Sequence, residues 1–66
     1  MNIKLYYGSM CSHCKVAIKQ LKDAGIEFEE LDAVDHLDYL TSLGRPQLPI
    51  ITRDGELVEL EELLKL

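Results

Sequence analysis

Two cysteines stand three residues apart in Cys11-Ser12-His13-Cys14, in a chain of 66 residues that holds no other. A thiol pair at this spacing can attack a disulfide, pass through a mixed disulfide and close on itself. The thiolate is the reacting species, so position decides reactivity. Cys11 comes just before a run with helical spacing. The first N–H groups of a helix have no partner within it, and the macrodipole places roughly +0.5 charge there. The Cys11 thiol is therefore expected below the ~8.5 of a free thiol. Lys15 follows one turn on and His13 sits between the sulfurs. A protonated His13 would favour the thiolate further and make the disulfide more oxidising. Cys14 falls on the apolar stripe of the helix, so it should be buried and less ionised. Cys11 is expected to attack a substrate disulfide, and Cys14 to release the reduced substrate.

The neighbouring pattern supplies elements that could hold such a pair. Ile3-Lys4-Leu5-Tyr6-Tyr7 reads as a strand. From Ser12 to Ala24 the spacing is helical, with Cys14, Ala17, Ile18 and Leu21 on one face and Gly25 as the stop. Ile26 to Asp32 reads as a second strand, completing a parallel βαβ unit. Asp35 to Leu43 is expected to be a helix with Leu37, Leu40 and Leu43 inward. Pro46 and Pro49 make the next stretch irregular. Pro49 to Thr52 reads as a strand, Asp54-Gly55 as a hairpin turn, and Leu57-Val58 as the return. Leu60, Leu63 and Leu64 place a last short helix. The expected class is α/β, βαβ-α-ββ-α in order, with one four-stranded mixed sheet between helices.

Length and charge bound the rest. Sixty-six residues bury only ~60% of their unfolded surface, so residues 1–66 are expected to form a single domain. The net charge of −5 argues against nucleic acid as the main partner. Charge is uneven: Lys4, Lys15, Lys19 and Lys22 lie in the first third without an acid, and all 12 acids follow. The acids Glu27, Glu29, Glu30 and Asp32 should blunt a strand edge. No apolar run is long enough to span a bilayer. Met1-Asn2-Ile3-Lys4 lacks the apolar core of a signal peptide, so a cytoplasmic monomer is expected, with its thiols kept reduced.

Other readings of the cysteines fit the sequence less well. Incidental cysteines rarely take this spacing at a helix start in a βαβ unit. A structural zinc site wants four ligands, and adjacent His13 and Cys14 are poorly placed to share one. A rival of another class is soft-metal carriage. The loop Gly8-Ser9-Met10-Cys11-Ser12-His13-Cys14 is similar to that of the heavy-metal-associated domain, where Met10, Cys11 and Cys14 would bind copper. That domain is βαββαβ, however, and its methionine is separated from the first cysteine.

With Cys-x-x-Cys after the first strand and Leu48-Pro49 before the third, the chain resembles the glutaredoxin family of the thioredoxin fold along nearly its whole length. The resemblance implies a thiol–disulfide oxidoreductase with Cys11 as nucleophile and Cys14 as resolving thiol. It implies disulfide-bearing proteins or glutathione mixed disulfides as substrates, and no resident cofactor or metal. Tyr7 and Met10 look like the residues leading into the family's active site. Pro49 is expected to be cis, turning the backbone of Leu48 toward the substrate. Arg45 and Gln47 flank Pro46 near that wall and, with Lys15, are candidates to meet a substrate carboxylate. His36 is expected to be solvated, without a role. Typical members carry glycine after the last strand, where the γ-glutamyl end of glutathione sits. Here the stretch reads Val58-Glu59-Leu60-Glu61-Glu62. Glutathione and a reductase of the thioredoxin-reductase type both remain open as electron donors.

Overall fold

The computed structural model describes residues 2–44 and 47–65. The first strand, β1 (Ile3–Tyr7), is followed by helix α1 (Ser12–Asp23) and strand β2 (Glu29–Asp32). A short 3-10 helix (Ala33–His36) runs into α2 (Leu37–Ser42), then come β3 (Ile50–Arg53), β4 (Glu56–Val58) and α3 (Leu60–Leu64). The sheet order is β2-β1-β3-β4. The β1–β2 pair is parallel, and the other two pairs are antiparallel. This is the expected α/β arrangement. The chain ends strand, strand, helix, so the βαββαβ order of the metal-carrier domain does not form.

Strand alternation divides the core between the two faces of the sheet. Ile3 and Leu5 of β1 and Ile51 of β3 pack with Ala17 and Leu21 of α1 and with Leu63 of α3. Tyr6 and Ile50 face the other way and pack with Ala33 and Leu40. Helix α1 ends in a left-handed cap at Gly25, whose φ is 74°. The Gly25 N–H donates to the Lys22 carbonyl at 3.0 Å and the Ile26 N–H to the Leu21 carbonyl at 3.1 Å. Ile26 packs against the cluster that holds Leu21, the apolar contact typical of this cap. The hairpin turns on Asp54 (φ 53°) and Gly55 (φ 87°), the pair of positive values that a two-residue turn matching the sheet twist requires.

Four expectations shift. Strand β2 starts at Glu29 rather than Ile26; residues 26–28 carry the chain back to the sheet, with Ile26 and Phe28 still packed on the core. The segment expected as one helix over 35–43 begins earlier, because the Asp32 carboxylate accepts from the Val34 N–H at 3.1 Å and opens a 3-10 turn. Its leucines do not all turn inward. Leu40 is buried, while Leu37 is 57% exposed and Leu64 of α3 also lies on the surface. His36, expected to be solvated, is half-buried, its ring edge-on to Tyr6 with centroids 5.3 Å apart. Among the described residues no helix is long and apolar enough to cross a membrane.

Candidate functional site

Strand β1 delivers the chain to a turn at Gly8-Ser9-Met10, and α1 takes it away. Cys11 lies between them as the N-cap, in extended backbone at φ −103° and ψ 104°. Its Sγ accepts from the backbone N–H of Cys14 at 3.1 Å. Cys11 and Cys14 are joined as a disulfide with Cα atoms 5.3 Å apart. The two sulfurs differ in surroundings: Cys11 is half-buried, and Cys14 is 1% exposed on the inner face of α1. Met10, next to the first cysteine, projects into solvent with 95% of its surface exposed.

Two clefts flank α1. One, of about 340 Å³, runs between His13 and Val16 on the helix and Gln47, Leu48 and Pro49 on the opposite loop. Glu59 and Leu60, at the start of α3, complete its lining. The Leu48–Pro49 bond is cis. The other cleft, of about 310 Å³, lies on the opposite side and is lined by Tyr7, Cys14, Lys15 and Glu30.

The candidate residues are thus sorted. Cys11 and Cys14 meet. His13, Gln47, Leu48 and Pro49 share the first cleft, whereas Tyr7 and Lys15 share the second. His13 and Lys15 therefore approach the cysteine pair from different sides of the helix. Arg45 lies outside the described residues. Sequence reasoning missed Val16, Leu60 and Glu30 as cleft residues. Val16 was findable, since it follows His13 by three on a helix and so shares its face. Leu60 and Glu30 carried no such signal, because their neighbours come from distant parts of the chain. Among the described residues no three or more His, Cys, Asp or Glu side chains cluster so as to hold a metal.

Gly8 shows how tightly the two loops of the site meet. A Cβ at this position would lie 2.8 Å from Leu48 Cδ1 and 3.7 Å from Cys11 Cβ. The Leu48 side chain thus lies directly against the turn that carries the first cysteine.

A sequence model of the glutaredoxin family matches residues 3–58. The chain belongs to the glutaredoxin family. Glutaredoxins act on disulfides with the help of a reductant, and the joined cysteine pair is the feature that performs such redox chemistry. No curated protein matches the sequence. Among solved structures, the glutaredoxin-like protein NrdH-redoxin from Escherichia coli superposes with a TM-score of 0.85 at 19% identity, covering 100% of this chain and 95% of that one. A variant of the thioredoxin-like protein BC3987 superposes at 0.77 with 25% identity, covering 97% of this chain and 96% of that one. Both carry the same fold as this glutaredoxin.

Proposed function

We propose that this glutaredoxin reduces protein disulfides by a dithiol mechanism, with Cys11 as nucleophile and Cys14 as resolving thiol. The observation that carries the reading is the donation from the Cys14 N–H to Cys11 Sγ at the first turn of α1. In the reduced protein that N–H and the helix dipole stabilise a Cys11 thiolate. Attack on a substrate disulfide joins Cys11 to one substrate sulfur and expels the other as a thiolate. Cys14 then attacks Cys11 Sγ, re-forms the intramolecular disulfide and frees the second substrate sulfur. His13 and Lys15 add positive charge when protonated.

The substrate chain enters the cleft between His13 and the Leu48-Pro49 wall. There it pairs with the backbone of Leu48 as an added strand, and Gln47 is the polar group we assign to that wall. The electron donor we favour is a reductase of the thioredoxin-reductase type, working in a reducing compartment such as the cytoplasm. Two observations support this choice. The stretch after β4 has Glu59 and Leu60 on the cleft rather than glycine. The NrdH-redoxin that superposes on this chain is itself described as glutaredoxin-like with a thioredoxin-like activity profile.

The test is a coupled assay supplying either glutathione with its reductase or a thioredoxin reductase with NADPH. Turnover is expected with the second and not the first; turnover with glutathione alone reverses the choice of donor. Cys11→Ser is expected to abolish exchange, and Cys14→Ser to accumulate a mixed disulfide visible by mass spectrometry. If Cys14→Ser is inert and forms no adduct, the two roles are exchanged.

A further inference from the structure

We infer that Glu30 takes up the proton released by Cys14 when the mixed disulfide is resolved, acting through solvent in the cleft behind the cysteine pair. The inference rests on the dithiol reading and concerns its second step. A thiol must lose its proton before it attacks. Cys14 is 1% exposed, and in the mixed disulfide the Cys11 side of it is covered by substrate. The remaining opening is the cleft of about 310 Å³ whose wall Cys14 shares with Tyr7, Lys15 and Glu30. That volume, with polar groups on its wall, is ample for water.

Register puts the carboxylate there. Glu30 of β2 is the partner of Leu5 on β1, so it points to the face that α1 covers. Lys15 and Ile18 of α1 form the facing wall, and Lys22 follows Ile18 by four on the same side of the helix. Lys22 Nζ lies 3.5 Å from Glu30 Oε2, and the glutamate side chain is 42% exposed. An ion pair this open contributes ~0–1 kcal/mol, so stability alone gives little reason for an acid at this position. Among the described residues that line the cleft, Glu30 is the carboxylate. The charged or titratable groups around it are Lys15 and Lys22 from α1 and Tyr7 from β1. Asp32 shares its strand face, and its side chain is engaged with the Val34 N–H.

The Cys14 Sγ–H proton passes through water to the Glu30 carboxylate. The resulting thiolate attacks Cys11 Sγ, and the Cys11–Cys14 bond forms as the bond from Cys11 to the substrate sulfur breaks. The substrate leaves as a thiolate and takes its proton from solvent. Protein dithiol is oxidised and substrate disulfide reduced by the same electron pair. When the reductase later opens the Cys11–Cys14 bond, the proton returns to Cys14 along the same cleft. Lys15, on the wall of the cleft beside Cys14, stabilises the transient negative charge.

The experiment compares the full chain with Glu30→Gln and with Lys22→Met, which breaks the same ion pair but keeps the carboxylate. Resolution is followed by rapid mixing of the Cys11 mixed disulfide with a small aromatic thiol, read from thiolate release between pH 6 and 9. Glu30→Gln is expected to slow resolution by about tenfold near pH 6.5, below the 10²–10⁴-fold range for positioned acid–base groups because water can substitute. The deficit should close toward pH 9, and Glu30→Asp should recover part of the rate. Cys11 alkylation and the Lys22→Met resolution rate should match the parent. An unchanged pH profile in Glu30→Gln overturns the inference, as does equal slowing in Lys22→Met. If the parent protein forms no mixed disulfide at all, the dithiol reading fails instead.

Discussion

At the scale of single residues, the site depends on one missing side chain. Gly8 leaves room for Leu48 to lie against the Cys11 turn, and an added Cβ would meet Leu48 Cδ1 at 2.8 Å. The leucine methyl can rotate aside, so Gly8→Ala should still fold. It should push the Leu48 wall away from the cysteine and lower kcat/KM for a protein disulfide about fivefold, the low end of the ~1–3 kcal/mol cost of an extra methyl in filled space. Cys11 alkylation should not change. Leu48→Ala in the same chain removes the clashing methyl, so the two substitutions should be non-additive in a double-mutant cycle. Strict additivity would show that the two loops do not communicate through this contact.

Among the elements, α3 is the most exposed to failure. It spans five residues, Leu60–Leu64, too short to persist without packing. Leu63 is fully buried beneath it and joins the cluster of Leu5, Leu21 and Val58. Truncating such a leucine costs ~2–5 kcal/mol, a large share of the few to ~10 kcal/mol expected for a chain of 66 residues. Leu63→Ala should therefore lower the urea midpoint sharply, whereas Leu64→Ala, at a surface position, should change the stability by no more than about 0.5 kcal/mol. Equal effects would mean that α3 packs through a different face. Because Leu60 at the start of α3 lines the first cleft, loosening this helix should also weaken substrate binding. The sheet edges are handled differently: β2 carries Glu29 and Glu30, and β4 is only three residues long. Both devices discourage pairing with another chain.

Across the whole molecule, the face opposite α1 is closed by a small aromatic cluster. Tyr6 packs edge-on to His36 and, 5.9 Å between centroids, against Tyr39. Burial, and then the nearby Tyr39 and Glu29, hold the Tyr6 phenol above its usual value of 10.0. The folded state therefore keeps this proton where the unfolded chain has lost it. Stability is unaffected while both states are protonated, and it falls as pH rises from about 10 through the folded value. Urea midpoints measured from pH 8 to 11 should decline above pH 10, and Tyr6→Phe should flatten that decline. An equal slope in Tyr6→Phe would assign the alkaline loss to other groups.

Much of this protein was determined by local pattern. Cys11 at the end of a strand and before a helical run, Gly25 as the helix stop, Asp54-Gly55 as the turn and the buried Cys14 all follow from spacing and backbone preference, which act within a few residues. The start of the helical stretch after β2 was harder, since the Asp32 carboxylate caps a 3-10 turn and begins it earlier than the leucine spacing alone indicates. His36 and Leu37 exchanged their expected environments, because a short segment with leucine every third residue can meet the sheet along more than one line. Only tertiary structure brought Leu60 to the wall of the first cleft, Leu48 to Gly8, and Glu30 to the wall behind Cys14. Each of these contacts joins elements distant in sequence, and sheet register, set by the packing of both faces at once, decides which side chains meet.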